Sequence, residues 1–213
     1  MVATGEFGST EAYLVGGTVR DLVVGREPAD PDIVVVGSGH RLGKALAERT
    51  GGEVKATSQF GTASIMTPAG AVDVAAARRE TYREPGALPD VRASGMDDDL
   101  ARRDFSVNAM AVSITPDTWG NLLDPQRGMS DCARRRLRVL HEHSFQDDPT
   151  RMLRAARFEV RLGFKLNVDT AEWLERDLAY MDRVSGARVL GELRKMFGIR
   201  SGLMCSGAPR SWD

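Results

Sequence analysis

The chain has 213 residues, 42% of them hydrophobic and 28% charged, with a net charge of −1. That is enough for one domain with a sizeable core, or one domain plus part of a second, and it leaves no global electrostatic footprint for nucleic acid. Cys132 and Cys205 are too few for a zinc site or a disulfide framework, and with no membrane-length apolar run and no basic-then-apolar leader, a cytoplasmic location is expected.

The first half alternates short strands with helices. Tyr13 to Val15 is an apolar run ending in Gly16-Gly17, and "TVRDLVV" (18–24) then reads as a helix, with Thr18 as its cap and Gly25 as its stop. "DIVVVG" (32–37) is a buried strand, and "RLGKALAERTG" (41–51) an amphipathic helix closed by Gly51-Gly52. "TASIMT" and "AVDVAAA" flank Pro68-Ala69-Gly70 as a hairpin. "FSVNAMAVSI" (105–114) fits the helix and strand periods equally. From about Ser130 the pattern is helical to about Phe197. Strands, glycines and prolines give way near Asp147 to long Arg/Leu/Ala helices. The expected organisation is therefore a head at 1–146, a helical neck at 147–197 and a disordered tail at 198–213.

Four constellations carry chemistry. Asp30 and Asp32 stand one residue apart at the mouth of a strand, so both carboxylates project the same way. A solvated Asp-Pro-Asp turn is the plain alternative. Asp73, in "GAVDVAA", adds a third strand-borne acid, and three carboxylates on neighbouring strands make an oxygen cage suited to Mg²⁺. Next comes "LVGGTVRD", a Gly-Gly turn opening a helix. It offers Gly17 and unpaired N–H groups to phosphate, with Arg20 one turn in and Asp21 beside it to orient the arginine. In "ARRDFSVNAM", Arg102, Arg103 and Asp104 precede an apolar segment, either as a capped helix start or as arginines beside a triphosphate.

The last is "DDPTRMLRAARF". Arg151, Arg154 and Arg157 recur every three residues and sweep one helix stripe, with Met152, Leu153, Ala155, Ala156 and Val160 expected on the packed side. A solvated basic face is the plain reading. Asp148, three residues before Arg151, sets an acceptor beside planar donors, which suits the hydrogen-bonding edge of a base.

In this order the motifs "VGGTVRD", "DPDIVVVG", "FGTA", "VDVAAARRETY", "PGALPDV", "LARRDFSVNAMA", "LLDPQRGMSD" and "LRVLHEHSFQDDPTRMLRAARFEVRLGF" strongly resemble the class II tRNA nucleotidyltransferase and bacterial poly(A) polymerase family. The resemblance runs from about Tyr13 to about Phe164. It implies an α+β nucleotidyltransferase head, with a mixed sheet and flanking helices, followed by the start of an all-α neck. It implies template-independent transfer of CMP or AMP from CTP or ATP to the 3′ end of a tRNA or other RNA, releasing pyrophosphate. By the same resemblance, Gly17 and Arg20 meet the triphosphate, and Asp30 and Asp32 bind Mg²⁺ and are catalytic; Asp73 joins them as a third catalytic acid from its strand position alone, not from the resemblance. Arg103, and Arg102 beside it, contact nucleotide and ribose. Asp148 and Arg151 read the base edge, with Arg154 and Arg157 beyond. Family members usually continue with further helices that hold the tRNA, whereas this chain ends soon after the neck begins, so weak RNA affinity is expected. Two rivals stand beside this reading: a non-catalytic fragment that binds NTP–Mg²⁺, and a transferase acting on a small-molecule hydroxyl. CCA, CC-only, A-only and poly(A) addition share the visible motifs.

Overall fold

The computed structural model describes residues 10–28, 30–58 and 61–198. Strand β1 (Ala12–Val15) runs into Gly16, whose φ of 65° suits glycine alone, and the chain turns at once into α1 (Gly17–Val23). Gly16 therefore holds the capping position expected of Thr18. The Thr18 hydroxyl is used otherwise: it donates to the Asp30 carbonyl at 3.2 Å and accepts from the Asp32 N–H at 3.1 Å. Gly25, with φ of 71°, turns the chain after α1 as expected.

Next come β2 (Asp32–Val35) and α2 (Gly39–Thr50); Ser38 caps α2 by accepting from the Arg41 N–H, and left-handed Gly51 stops it. β3 (Glu53–Thr57), β4 (Thr62–Thr67) and β5 (Gly70–Ala76) form a meander, with the hairpin at Pro68 to Gly70 as expected. β6 (Arg78–Thr81) and β7 (Asp90–Ala93) pair as a separate antiparallel ribbon, followed by α3 (Met96–Ala101). The segment with two possible periods divides: Ser106–Asn108 is a 3-10 turn and Ala111–Ser113 is β8. Phe105, Val107 and Ala109 to Ala111 are all fully buried, so no polar face marks a period. β9 (Leu122–Leu123) and α4 (Gly128–Ala133) follow.

Beyond Ser130 the chain is less helical than its pattern. β10 (Arg136–Leu137) precedes α5 (Ser144–Asp147) and α6 (Thr150–Leu162). Left-handed Gly163 then reverses the chain, so that β11 (Lys165–Leu166) pairs in parallel with β10. α7 (Val168–Asp177), a 3-10 stretch at Leu178–Arg183 and α8 (Gly186–Met196) complete the described chain. The expected tail lies, from residue 199 on, outside the described residues.

The main sheet has the order β3-β4-β5-β2-β1-β8-β9 and is mixed: β2 and β5 run parallel, and every other pair is antiparallel. Together with its flanking helices this is the expected α+β architecture. One apolar core spans the residues on both sides of Asp147, drawing Val19, Phe105 and Phe145 from before it and Met152, Phe158, Leu162 and Phe164 from after it. Three expectations for α6 reverse. Val160 is 88% exposed and Ala156 is exposed as well, while Arg151 is 4% exposed and faces inward.

Candidate active site

The parallel register of β2 and β5 sets Asp32 directly beside Asp73. Thr18 fixes the turn before β2 by bonding both Asp30 and Asp32 backbone groups, so α1 positions the acids. Burial raises the Asp32 carboxyl's affinity for a proton; Asp73 and Asp30 raise it further, and Arg103 opposes them. An excess of carboxylate charge on oxygen donors alone suits a hard divalent cation. Asp73 also accepts from the Ser64 hydroxyl at 2.5 Å. Among the described residues no three acidic, histidine or cysteine side chains are grouped to hold an ion by themselves. A cation at Asp30 and Asp32 would take its other ligands from substrate oxygens and water.

The Gly16 backbone lies against this acid wall. A Cβ there would sit 2.9 Å from Arg103 Nη1 and 3.9 Å from Asp32 Oδ2, so glycine lets the arginine approach the acids. Arg103 donates to the buried Asp99 carboxylate at 2.8 Å and to the Asn108 carbonyl at 3.4 Å, while its buried Nε meets no partner. Asp99 also takes Arg102, at 3.0 Å. Burial pushes the Asp99 carboxyl up, but Arg103 and Arg102 outweigh that and hold it below its ordinary value.

Arg20 is 2% exposed and fully tied. Its Nε and Nη2 donate to Asp21 at 2.9 and 2.8 Å, the orientation expected from the adjacent acid, and Nη1 donates to Asn108 Oδ1 at 2.7 Å. Asp104 accepts from the Phe105 N–H at 2.8 Å, from Asn108 Nδ2 at 3.0 Å and from Arg154 Nε at 2.8 Å. Burial favours its protonated form, yet Arg154, Asn108 and Arg151 bring it down to about 2. Glu192, reaching in from α8, lies 3.6 Å from Arg154 and 3.3 Å from Arg157. The ring of Phe158 carries three guanidiniums: Arg157 at 4.7 Å, Arg20 at 5.6 Å and Arg154 at 5.7 Å. Phe105 meets the same ring edge-on at 5.8 Å. One aromatic ring thus gathers the arginines of α1 and α6.

Asp148 and Arg151 are joined through the backbone, the Arg151 N–H donating to the Asp148 carbonyl at 3.0 Å, while their side chains take other partners. Asp148 Oδ1 accepts from the Thr150 N–H at 3.0 Å, from its hydroxyl at 2.6 Å and from Arg188 Nη2 at 2.8 Å. Arg151 donates instead to the carbonyls of Arg102, at 2.9 Å, and Ser144, at 3.4 Å. Beside them the Tyr82 hydroxyl donates to Glu80 at 3.0 Å. Burial raises its proton affinity, with Glu80 and Asp148 adding to it against Arg151.

Gly17, Arg20, Asp30, Asp32, Asp73, Arg103, Asp148, Arg151, Arg154 and Arg157 all line a single open cleft of about 870 Å³. Asn108 shares it, as do Phe158, Tyr82, Glu80, Arg188 and Glu192, which had not been singled out in the sequence. Glu80 and Tyr82 sit in the quoted run "RRETY", and Asn108 falls four residues after Asp104; those spacings were visible. Arg188 and Glu192 come from a distant helix and had no local signal.

Residues 12–138 match the model of the poly A polymerase head domain. An A-adding tRNA nucleotidyltransferase of Geobacter sulfurreducens is 44% identical over 85% of this chain and 21% of its own length. A CCA-adding enzyme of Bacillus pumilus is 34% identical over 87% of this chain and 46% of its own. Among solved structures, a CCA-adding enzyme in an apo form superposes with a TM-score of 0.82 at 38% identity, covering 88% of this chain and 45% of that one. A tRNA nucleotidyltransferase complexed with a primer tRNA and an incoming ATP analog gives 0.78 at 39%, covering 87% and 52%. The chain thus spans between about a fifth and a half of each of these proteins.

Proposed function

The chain belongs to the poly A polymerase head-domain family, and on that premise we propose that it transfers CMP or AMP from CTP or ATP to the 3′ end of a tRNA, releasing pyrophosphate. The observation that carries the reading is the meeting, in one cleft, of the Asp30–Asp32 acid pair with the arginines of α1, α3's end and α6.

Asp30 and Asp32 hold Mg²⁺, and Asp73 shapes the charge around them. The ion, when bound, neutralises phosphate charge and lowers the pKa of the attacking 3′ hydroxyl. Gly17, at the start of α1, presents backbone N–H groups to the triphosphate, and Arg20 adds a charge that Asp21 and Asn108 lock in position. Arg103, which lines the cleft beside the acids, brings its positive charge to the nucleotide. Arg154 and Arg157 extend the cationic wall. All three protein bonds to Asp148 fall on Oδ1, leaving Oδ2 to accept from the amino group of cytosine or adenine. Arg151 has N–H groups beyond the two used on carbonyls and donates to the neighbouring ring nitrogen. The head ends near residue 146 and the helices from 147 begin a neck. No described helix is long and apolar enough to cross a membrane, and the proposed tRNA substrate places the reaction in the cytoplasm.

The test is incorporation of labelled CTP and ATP, with Mg²⁺, into tRNAs ending before the CCA sequence or after its two cytidines. Incorporation is expected, and the preferred primer and nucleotide decide among CCA, CC-only, A-only and poly(A) addition. Nucleotide binding without any incorporation would establish the non-catalytic fragment instead.

A further inference from the structure

The β6–β7 ribbon has two faces. Strand alternation turns Arg78 and Glu80 toward the cleft they line, and turns Arg79 and Thr81 outward. Arg79 lies directly opposite Arg92 in the antiparallel register, and Thr81 directly opposite Asp90. These four residues border a depression of about 230 Å³. Side chains in such opposed positions have Cβ atoms about 5 Å apart, and like charges there repel. The neighbouring arginines are neutralised: Arg78 and Arg102 by Glu80, and Arg83 by Asp90 at 2.8 Å. Arg79 and Arg92 are exposed and bond no carboxylate among the described residues. Asp90, the acid nearest in register, is already engaged by Arg83.

Two arginines opposed in register, with Asp90 beside them engaged by Arg83, offer donors to an anion with several oxygens, and a phosphodiester can accept from both at once. We propose that this outer face of the ribbon binds a backbone phosphate of the RNA primer, seated between Arg79 and Arg92, with the Thr81 hydroxyl as a further donor. The proposal rests on the nucleotide-transfer reading. The location favours RNA over a free anion: the ribbon is one residue layer thick, and its other face borders the cleft where the 3′ end reacts. An RNA strand whose end lies in that cleft can leave it across this ribbon. The site is open to solvent, as a tracking contact on a moving strand requires.

The experiment uses the full chain with Arg79→Gln/Arg92→Gln, reading binding of a labelled tRNA lacking its 3′ end between about 50 and about 200 mM salt, beside binding of CTP with Mg²⁺. The expected result is about 3- to 30-fold weaker RNA binding at low salt, with the slope of log K against log salt shallower by about 0.7 to 0.9, the value for one phosphate. CTP affinity stays at the wild-type value, which also certifies the fold. Arg79→Lys/Arg92→Lys keeps most of the slope. Equal RNA affinity and slope in wild type and Gln variant, with CTP binding intact, overturns the ribbon site and leaves the nucleotide-transfer reading standing. An unchanged RNA slope with inorganic phosphate raising the melting temperature of the wild type alone makes this a small-anion site and overturns it as well. A wild type that binds CTP but no RNA at any salt overturns both.

Discussion

Arg188 of α8 donates to the Asp148 carboxylate at 2.8 Å and, through its other terminal nitrogen, to the Gly86 carbonyl at 3.0 Å. One guanidinium thus ties together the start of α6, the loop between β6 and β7, and the last described helix. Asp148 is oriented for its proposed base-reading role from the neck side of the molecule, by a residue forty positions away. We expect Arg188→Ala to reduce the preference for CTP and ATP over UTP and GTP about 10-fold, because losing one charge-assisted hydrogen bond of about 1.5 kcal/mol frees the carboxylate to rotate. Triphosphate affinity should fall by less than 3-fold, a split that a general loss of folding would not produce. Equal loss for all four nucleotides would assign Arg188 to packing alone.

The acid pair separates function from stability. Asp32 is held among like charges, so Asp32→Ala should leave the melting temperature unchanged or raise it while nucleotide incorporation falls to background. Stabilisation of the wild type by Mg²⁺ with CTP should disappear in the variant. Full incorporation by Asp32→Ala would remove the pair from the mechanism.

The Asp104–Arg154 pair makes a pH prediction. The Asp104 carboxyl lies at about 2 in the folded chain against 3.8 for the free group. A depressed folded value stabilises the fold above the unfolded value, and the contribution is lost as pH falls from about 4 through about 2. The difference amounts to about 2 kcal/mol. Urea unfolding of wild type and Asp104→Asn should therefore show a gap that is constant from pH 7 to 5 and narrows below pH 4. A gap independent of pH down to 2.5 would mean that the charge on Asp104 does not matter to the fold.

Gly39 packs the first turn of α2 onto the sheet. A Cβ there would lie 2.2 Å from the Gly61 carbonyl oxygen and 2.9 Å from the Ala76 nitrogen, both backbone atoms that cannot swing aside. Gly39→Ala should cost about 1–3 kcal/mol of stability in urea unfolding. A neutral substitution would show that α2 can lift from the sheet without loss.

What the sequence made legible was local. Arg20 with Asp21, and left-handed Gly25 and Gly51, are all within a few residues of the features that define them, and each appears in the structure where its spacing placed it; Asp30 and Asp32 line one cleft, with only Asp32 inside the strand. The ribbon was missed because Arg78 to Thr81 and Asp90 to Ala93 carry no apolar alternation; their inward positions face a polar cleft rather than a core. The basic stripe on α6 misled in a different way. Arg151 enters the interior because two backbone carbonyls receive it, and Val160 stays outside because the helix turns that flank to solvent. Partners such as Glu192 for Arg154 and Arg157 join residues 35 or more positions apart, a relation that chain closure creates and periodicity does not announce.

The most direct test of the cleft as a CTP and ATP site is equilibrium binding of CTP, ATP, UTP and GTP, each with Mg²⁺, to the wild type and to Asp148→Ala. Cytosine and adenine set an amino donor beside a ring acceptor, which matches Asp148 Oδ2 and Arg151; uracil and guanine present the opposite order and leave charged groups unpaired, at about 1–3 kcal/mol. The wild type should bind CTP and ATP at least about 10-fold tighter than UTP and GTP, and Asp148→Ala should lose that preference while keeping affinity for the triphosphate. Equal affinity for all four nucleotides in the wild type, or an unchanged preference in Asp148→Ala, would contradict the assignment.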